Sequence, residues 1–393
     1  MERAELEKFL QGTGLAESHG AYVFLCDPHG PAMQRAAFDQ LLQANLANPN
    51  PEIAEGWLCV ATGGSSGGLR FARHDEKTLD AAVRGFCAHF GATTVNAVGV
   101  LPLHHVSGLM AGVRCAATGG RYLPWTWKQL EAGDTPELTR GDWFLSLVPT
   151  QLQRLLGAAK TCDWLRRCRT IFIGGGPVWA ELMEQAAAAK LPLAFSYGMT
   201  ETAAMVAAQT VTEFSRGERS SGRPMAHALI EIVDEASGAV LPVGMSGLIR
   251  VTGESVFRGY FGGEETGRSF LTEDIGRLEP QGGLEVLGRR DAVIITGGQK
   301  VHPGEVEAQL RASGVFPDVV VMGLPDKEWG EVVVAWYPAA RAVNLGKLAL
   351  GGLAPYQRPK RYIAVADWPR TPQGKINRAA LKARASTLLD PTR

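Results

Sequence analysis

The chain has 393 residues, more than one hydrophobic core usually supports, so two or more domains are expected. Its 40 basic and 40 acidic residues cancel, which argues against a protein built to bind nucleic acid or an anionic membrane surface. A composition of 45% hydrophobic and 20% charged residues is that of an ordinary globular protein.

The six cysteines include no Cys-x-x-Cys pair and have no histidine nearby at the spacing of zinc ligands. They are therefore expected to be reduced thiols in a reducing compartment. The N-terminus lacks the basic start and apolar core of a signal peptide, and no apolar stretch is long enough to predict a membrane span. We expect a cytoplasmic protein with neither a nucleic-acid partner nor a membrane span. The sequence leaves open whether it forms a homodimer.

Short apolar runs bounded by glycine alternate with amphipathic helical segments in the first half of the chain, which predicts an α/β fold. The predicted elements, in chain order, are a strand over 57–61, a helix over 75–91, strands over 96–101 and 169–173, a helix over 179–190 and a strand over 193–196. The signal for the first helix is clear, because Leu79, Val83 and Phe86 fall at helical spacing and Gly91 follows.

Between about residues 228 and 288 the segments become short, β-rich and punctuated by turns, which predicts a small antiparallel subdomain or barrel. Its predicted strands are 229–233, 247–252 and 283–287. From Asp291 onward a compact α+β unit is predicted, with strands over 292–295 and 318–322 and a helix over 304–312.

A run rich in glycine and serine follows the first predicted strand: Thr62-Gly63-Gly64-Ser65-Ser66-Gly67-Gly68-Leu69-Arg70. Its backbone amides, its hydroxyls and the cation at its end suit a polyphosphate. It is not a Walker loop, because Leu69-Arg70 stands where Lys-Ser/Thr is required. The alternative is a flexible surface loop, since such runs are common connectors.

The second motif, Tyr197-Gly198-Met199-Thr200-Glu201, directly follows a predicted strand. A carboxylate beside a hydroxyl suits a magnesium ion held between protein and triphosphate. The alternative is a helix N-terminus, with Thr200 as its cap and Glu201 in its first turn.

The third motif places Asp274 in the segment 271–276, followed by Gly288-Arg289-Arg290-Asp291. A carboxylate can accept hydrogen bonds from both ribose hydroxyls, and an arginine can reach ribose or phosphate. An aspartate in a turn and a surface charge cluster are the alternatives.

The fourth motif, Pro369-Arg370-Thr371-Pro372-Gln373-Gly374-Lys375, would present Lys375 at the tip of a loop. Its positive charge could there neutralise an attacking carboxylate and an α-phosphate together. The alternative is a solvated lysine, which most lysines are.

In this order the motifs resemble those of the acyl-adenylate-forming superfamily, which includes acyl-CoA synthetases, nonribosomal peptide adenylation domains and luciferases. The resemblance runs from about Trp57 to the C-terminus. It also includes the segments Leu101-Pro102-Leu103-His104-His105-Val106-Ser107-Gly108-Leu109, Gly174-Gly175-Gly176-Pro177, Gly222-Arg223-Pro224 and Gly297-Gly298.

The resemblance implies an enzyme that uses ATP and Mg²⁺ to form an acyl-adenylate and then passes the acyl group to a thiol, coenzyme A. The implied nucleotide-binding residues are the 62–70 loop for the β- and γ-phosphates, Glu201 for magnesium, Gly174, Gly175, Gly176, Pro177, Tyr197, Gly198 and Met199 around the adenine, and Asp274 with Arg289 for the ribose. The implied catalytic residues are Lys375, Thr200, Glu201 and His105, and the implied acyl pocket contains His105, Ser107 and Gly108.

The same resemblance implies that Asp291 is a hinge, about which a mobile C-terminal domain rotates between the half-reactions. Rotation would exchange Lys375 for a face that contains Gly297, Gly298 and Lys300 and lines the coenzyme A tunnel. The expected architecture is an α/β protein. It has a large N-terminal domain of layered α/β sheets with a small β-rich subdomain (1–290), followed by a small mobile α+β C-terminal domain (291–393).

Three features depart from the family pattern. The phosphate loop usually ends Pro-Lys and here ends Leu69-Arg70, which keeps the charge but changes its geometry. Glu273 replaces the usual glycine before the ribose-binding aspartate. The region before the loop is short, so part of the usual first subdomain is expected to be missing or reduced.

The short N-terminal region, the form of the loop and the segment 102–109 look most like the o-succinylbenzoate–CoA ligases of menaquinone and phylloquinone biosynthesis. A dicarboxylic aromatic substrate would need donors for its second carboxylate, for which Arg114, Arg121 and His105 are candidates. For His105 the alternative is a histidine at a strand end in a hydrogen-bonded turn.

Three other functions are considered. The chain could be another aryl- or acyl-CoA ligase, or a stand-alone adenylation enzyme that loads a separate carrier protein, since no carrier domain is expected after Lys375. A nucleotide-binding homologue without catalysis is the remote alternative. Loss of Glu201 or of the late lysine would mark it, and both residues are present.

Overall fold

The computed structural model describes residues 2–27, 30, 32–46, 55–63, 69–176, 178–316, 318–339, 343–348, 350–370 and 376–388. Four β-sheets with helices packed against them form the described part of the chain, so the predicted α/β class is confirmed. Among these residues no helix is both long enough and apolar enough to cross a membrane.

The N-terminal region forms a four-stranded sheet in the order β1-β2-β3-β4. Its elements are α1 (Arg3–Gly12), β1 (Ala16–His19), β2 (Tyr22–Leu25), α2 (Ala32–Leu46), β3 (Leu58–Gly63) and β4 (Leu69–His74). The strand predicted over 57–61 is confirmed as β3. The elements before it were not predicted, because α1 is largely polar, α2 is only weakly amphipathic and the first two strands are only four residues long.

Helix α3 (Glu76–Phe90) confirms the strongest helix prediction. The side chain of Asp75 accepts a hydrogen bond from the backbone N–H of Thr78 and so caps the N-terminus. Gly91 ends the helix in the left-handed conformation, with a φ of 56°. The apolar face, with Leu79 and Phe86, is buried.

The central sheet has seven strands in the order β11-β10-β9-β8-β7-β5-β6. Its elements, with the helices between them, are β5 (Asn96–Gly99), α4 (Val106–Ala117), β6 (Tyr122–Pro124), α5 (Trp127–Glu131), β7 (Trp143–Leu147), α6 (Pro149–Leu156), α7 (Ala159–Leu165), β8 (Thr170–Ile173), α8 (Ala180–Ala188), β9 (Leu193–Met199), β10 (Ala204–Ala208), α9 (Val211–Ser215) and β11 (Arg223–Pro224). The predicted strands over 96–101, 169–173 and 193–196 and the predicted helix over 179–190 are all confirmed.

Strands β5 to β9 run parallel, so their carboxyl ends meet at one edge of the sheet. Strand β5 lies between β6 and β7, which means that the winding direction reverses there. In open α/β sheets, ligands bind outside the carboxyl edge near such a reversal. The segment after β5, the glycines after β8 and the end of β9 all lie at this edge.

The predicted β-rich subdomain is an open antiparallel sheet of four strands rather than a barrel within the described residues. Its strands are β12 (Ala228–Val233), β13 (Gly247–Gly253), β14 (Ser269–Leu278) and β15 (Leu284–Arg289). The inner face contributes Ile230, Ile249 and Val251 to a core shared with Val206 and Ala207 of β10. This shared core fixes β14 and β15 against the central sheet.

The C-terminal part begins after a 3-10 turn over Arg290–Ala292. Its elements are β16 (Ile294–Thr296), β17 (Gln299–Val301), α10 (Pro303–Ala312), β18 (Val320–Asp326), β19 (Gly330–Pro338), β20 (Arg361–Val365) and α11 (Arg378–Leu388). They form a sheet of five strands with its own buried core, which confirms the predicted α+β unit. The division of the chain into mobile domains at Asp291 stays a prediction.

Candidate active site

The glycine- and serine-rich run connects the two strands of a β-hairpin. Strands β3 and β4 pair in antiparallel register, with Thr62 opposite Arg70 and Gly63 opposite Leu69. The two ends of the run are therefore held in a sheet rather than in an irregular loop. Gly64, Ser65, Ser66, Gly67 and Gly68 lie outside the described residues, and their contact with a polyphosphate stays a prediction.

Glu201 is presented by a tight turn between β9 and β10. Residues Thr200–Thr202 form one 3-10 turn, so the alternative of an α-helix N-terminus is wrong. Ala203 and Ala204 have φ angles of 51° and 79°, which L-amino acids with a side chain rarely adopt. The hydroxyl of Thr202 closes the turn by donating to the carbonyl of Ala204 at 2.7 Å.

The Glu201 carboxylate is buried and is held by two hydroxyl groups. The hydroxyls of Tyr260, at 2.7 Å, and Thr62, at 3.2 Å, both donate to Oε1. Within the described ranges Oε2 accepts no hydrogen bond. Glu201 is 7% exposed, so one oxygen of a buried carboxylate remains available for a ligand.

Arg70 contacts the same tyrosine that donates to Glu201. Its guanidinium carbon is 4.6 Å from the centre of the Tyr260 ring, which is the geometry of a cation–π contact. Arg70, on the β3–β4 hairpin, and the buried Glu201 therefore contact the same side chain, Tyr260. The replacement of the usual lysine by Arg70 is compatible with this contact, because a planar guanidinium stacks well on an aromatic face.

His74 contacts the backbone of the turn that carries Glu201. It is fully buried at the end of β4, with Nε2 at 2.7 Å from the carbonyl oxygen of Thr200 and Nδ1 at 3.1 Å from the Thr78 hydroxyl. A carbonyl can only accept, so Nε2 carries the hydrogen. Burial lowers the pKa of His74 to about 4, and the ring is neutral at pH 7.

Asp274 lies on β14, opposite Arg289 of β15. The Tyr197 hydroxyl donates to its Oδ2 at 2.8 Å, and an Arg289 nitrogen lies 3.6 Å from Oδ1. Burial raises the pKa of Asp274 above its ordinary value, against the lowering effects of Tyr197 and Arg289. The charge of Glu201 contributes to the same rise in pKa, which places the two predicted nucleotide-binding acids in one electrostatic environment.

Two arginine–carboxylate pairs lie at the predicted hinge residue, Asp291. Arg289 donates to both carboxylate oxygens of Asp291, at 2.9 and 3.1 Å. Arg290 donates to both oxygens of Glu273, at 2.8 and 2.7 Å. Glu273, which replaces the usual glycine before Asp274, is therefore the ion-pair partner of Arg290, which directly precedes the predicted hinge residue Asp291.

Glycines at the carboxyl edge allow close backbone approach. A Cβ on Gly174, directly after β8, would lie 3.0 Å from the Ser196 hydroxyl. A Cβ on Gly198 would lie 1.9 Å from the carbonyl oxygen of Ala204, so only glycine permits this β9–β10 pairing. Pro177 lies outside the described residues. The adenine-binding roles of this region, including those of Gly175, Gly176 and Met199, stay predictions.

His105 directly precedes α4, at the carboxyl edge beyond β5, and its side chain makes no capping hydrogen bond to the helix. Its ring lies 4.3 Å from that of His104, whose pKa is lowered by burial. Close packing explains the glycine at position 108, because a Cβ there would come within 2.2 Å of the Pro102 carbonyl oxygen. Ser107 lies in the first turn of the same helix, so all three predicted pocket residues lie at one helix terminus.

Arg114 and Arg121 do not lie near His105, Ser107 and Gly108 at the start of α4. Arg114 is buried nine residues further along α4, roughly 13 Å along the helix axis, and stacks on Phe86 at 4.3 Å. Arg121 precedes β6 and contacts Trp143, the first residue of β7, so it lies at the amino edge of the sheet. The structure therefore does not bring these arginines together with His105, and their interpretation as ligands of a second carboxylate stays a prediction.

Gly297 and Gly298 form the two-residue turn between β16 and β17, and both have positive φ angles. The neighbouring Lys300 is exposed. Gly297 packs against Trp329 so closely that a Cβ would lie 2.7 Å from the indole ring. Lys375 lies outside the described residues, although the flanking residues Arg370 and Ile376 form an antiparallel bridge. The roles of this glycine pair and of both lysines stay predictions.

Sequence reasoning missed Tyr260 and His74, because both lie far along the chain from Glu201. A tyrosine after Arg258-Gly259 carries no spacing signal that points to residue 201. In the described part of the chain, no group of three or more His, Cys, Asp or Glu side chains could hold a metal ion alone. A cation at Glu201 would therefore need further ligands from a bound polyphosphate, which is how magnesium is usually held.

Comparison with known proteins identifies the family of the chain. The profile of the family described as AMP-binding enzyme matches residues 61–261, which is more than half of the chain. The profile described as AMP-binding enzyme C-terminal domain matches residues 305–375. The chain belongs to the AMP-binding enzyme family.

Similar proteins include the 2-succinylbenzoate–CoA ligase of Enterococcus faecalis, which is 31% identical over 325 residues covering 80% of this chain and 67% of that protein. The enzyme of the same name from Bacillus licheniformis is 33% identical over 295 residues, 72% of this chain and 60% of that protein. This chain thus spans about three fifths to two thirds of the length of these relatives.

Among solved structures, the o-succinylbenzoate CoA synthetase MenE of Bacillus subtilis, in complex with the acyl-adenylate intermediate OSB-AMP, superposes with a TM-score of 0.73 at 27% identity. The superposition covers 84% of this chain and 70% of that one. ATP-bound MatB from Rhodopseudomonas palustris reaches the same TM-score at 24% identity, which supports the fold alone.

Proposed function

We propose that the protein is an ATP-dependent acid–thiol ligase that forms an acyl-adenylate and then an acyl-CoA. The observation that carries this proposal is the grouping of Thr62, Arg70, Glu201 and Asp274 around two tyrosines at one edge of the central sheet. A polyphosphate, a divalent cation and a ribose are the ligands that such a set of hydroxyls, cation and carboxylates fits.

The substrates proposed are ATP, coenzyme A and a carboxylic acid, and the metal is Mg²⁺. Glu201 would hold the magnesium ion through Oε2, and the ion would offset the repulsion between carboxylate and triphosphate. Asp274 would accept hydrogen bonds from the ribose hydroxyls, with Arg289 beside it. The B. subtilis MenE structure with ATP and a magnesium ion supports this assignment of ligands.

The reaction requires two displacements. A carboxylate oxygen of the substrate attacks the α-phosphorus of ATP, the bond to the β-phosphate oxygen breaks, and pyrophosphate leaves. The thiolate of coenzyme A then attacks the carbonyl carbon of the mixed anhydride, and AMP leaves with the electron pair. Lys375 would neutralise charge in the first step. The burial of Glu201 suits a site where the anhydride must not be hydrolysed.

The acid proposed is o-succinylbenzoate, which would place the protein in menaquinone or phylloquinone biosynthesis. Two relatives and a solved structure that carry this substrate in their names support it. His105 and Ser107, at the start of α4, would line the acyl pocket.

We further propose that the chain divides at Asp291 into an N-terminal domain of residues 1–290 and a mobile domain of residues 291–393. Gly297, Gly298 and Lys300 would line the coenzyme A tunnel after rotation about Asp291. The 3-10 turn at Arg290–Ala292, with no regular strand or helix across it, supports a hinge there. A cytoplasmic location fits six cysteines without a disulfide.

A panel of carboxylic acids, assayed for pyrophosphate release with ATP and Mg²⁺, tests the proposal. We expect o-succinylbenzoate to outpace benzoate and fatty acids. A preference for one of those acids would refute the substrate and leave the ligase class. Consumption of free coenzyme A in a coupled assay separates a CoA ligase from an enzyme that loads a carrier protein. Absence of pyrophosphate with every acid would refute adenylation.

A further inference from the structure

Tyr260 is held rigidly between the β3–β4 hairpin and the 3-10 turn that carries Glu201. It forms a β-bridge with Ala72 of β4, and the next residue, Phe261, donates its backbone N–H to the Phe71 carbonyl at 2.8 Å. On its other side, the backbone N–H of Phe257 donates to the carbonyl of Glu201 at 2.9 Å. The chain from 257 to 261 is thus anchored at both ends, and the position of the Tyr260 ring is set by the fold.

The hydroxyl of Tyr260 selects one oxygen of Glu201. It donates to Oε1 at 2.7 Å, and the weaker bond from Thr62 ends on the same oxygen. The phenol O–H is the donor of the Tyr260 bond, because an ionised carboxylate can only accept. The carboxylate cannot rotate without breaking the Tyr260 bond, and Oε2 stays directed away from both hydroxyls.

The ring of the same tyrosine positions a cation. The Arg70 guanidinium stacks 4.6 Å from the ring centre, while the backbone of Arg70 is paired opposite Thr62. The ring itself packs against Phe257 at 4.8 Å, which keeps it from turning. Tyr260 therefore orients both the carboxylate of Glu201 and the guanidinium of Arg70 next to the β3–β4 hairpin.

We infer that Tyr260 is a positioning residue for adenylation: its hydroxyl leaves Oε2 of Glu201 free for the divalent cation of MgATP, and its ring holds Arg70 for the polyphosphate. The inference rests on the proposed function. It assigns a role to a residue that lies outside all four sequence motifs and explains how an arginine can serve at the end of this loop.

The test compares Tyr260→Phe, which removes only the hydroxyl, with Tyr22→Phe. Tyr22 is a matched control because its ring packs on Phe261, the neighbour of Tyr260, at 4.9 Å. We expect Tyr260→Phe to raise the Mg²⁺ concentration for half-maximal pyrophosphate release by roughly 10-fold to 100-fold, the usual effect of losing a group that orients a metal ligand. Saturating Mg²⁺ should restore most of the rate, and Tyr22→Phe should behave as the wild type.

Binding provides a readout besides activity. The affinity of Mn²⁺ for the protein in the presence of a non-hydrolysable ATP analogue, followed by the electron paramagnetic resonance of free Mn²⁺, should fall by a similar factor in Tyr260→Phe. Tyr260→Leu, which also removes the ring, should in addition raise the KM for ATP by roughly two- to fivefold through loss of the Arg70 contact.

A double-mutant cycle with Glu201→Gln keeps the test decisive if Tyr260→Phe lowers stability. If Tyr260 acts through Glu201, the hydroxyl deletion should add no further Mg²⁺ requirement in the Glu201→Gln background. Additive effects, or a Tyr260→Phe titration that superimposes on that of Tyr22→Phe, would overturn the inference. Wild-type protein that releases no pyrophosphate would instead refute the proposed function, so the two failures are distinguishable.

Discussion

The nucleotide side of the candidate site and the junction to the C-terminal part are held together by different forces. At Glu201 and Asp274 the contacts are hydrogen bonds to buried or partly buried tyrosines, and the two acidic side chains are 7% and 15% exposed. At the junction, the Arg289–Asp291 pair has side chains that are 41% and 39% exposed, and those of the adjacent Arg290–Glu273 pair are 40% and 44% exposed. Buried hydrogen bonds to a charge are strong and little affected by salt, whereas exposed ion pairs are weak and screened.

This difference suits the two tasks that we propose. The geometry around the phosphates must be retained from one turnover to the next, and the strands that carry it share one buried core with the central sheet. A junction that turns must break and reform its contacts at low cost. The following predictions test this contrast, from the largest expected effect to the smallest.

Lys375→Ala should lower the rate of acyl-adenylate formation by roughly 100-fold or more, because one charge that stabilises the transition state is lost. Thioester formation from preformed acyl-adenylate should remain largely intact. Single-turnover measurements of the two half-reactions check this, with Lys327→Ala, an exposed lysine of the same region, as the control. Equal losses in both half-reactions would contradict the role of Lys375.

His74 should make the nucleotide side sensitive to acid. Its pKa is about 4 in the folded protein and about 6.5 in the unfolded chain, so the unfolded chain binds more protons between these values. The free energy of unfolding should therefore fall as the pH decreases through this window, by about 2 kcal/mol from His74 alone between pH 7.5 and pH 5. Denaturant unfolding of wild type and His74→Gln should show a smaller pH dependence in the variant. Parallel curves would contradict the buried neutral histidine.

Glu201→Gln should raise the Mg²⁺ requirement of pyrophosphate release about tenfold, because a neutral amide oxygen is a weaker ligand for a hard cation. The partly exposed Glu218→Gln provides the control for a general change of charge. High salt should not reproduce the effect, because the carboxylate is buried. An unchanged Mg²⁺ titration would remove Glu201 from the metal site.

Glu273→Gln should change the ratio of thioester formation to adenylation by roughly two- to fivefold at low salt, as expected for one exposed ion pair. The change should favour thioester formation, since Arg290 loses its anchor next to the proposed hinge. It should disappear near 0.5 M salt, where such pairs are screened. Glu254→Gln breaks an exposed pair with Arg84 away from the junction and should leave the ratio unchanged. A salt-independent change would argue against the ion pair as its cause.

Elements with strong local signals were predicted well. Helix α3 has a capping aspartate, an apolar face and a terminal glycine within one short stretch, and strand β8 is a short run of buried apolar residues ending at glycine. The weakly patterned N-terminal elements were missed. Their burial depends on contacts with distant segments, as in the packing of Phe24 and Phe38 against Phe71 and Phe261.

The sequence by itself determined the α/β class, the family resemblance and the order of the motifs, because each of these depends on local periodicity or on residues close together in the chain. Only the tertiary structure decided which groups meet. Tyr260 reaches Glu201 across 59 residues, and Tyr197 reaches Asp274 across 77, because a shared core packs one sheet against the other. The tertiary structure also placed Arg114 and Arg121 away from His105, since the direction of a helix and the edge of a sheet follow from packing and not from residue type.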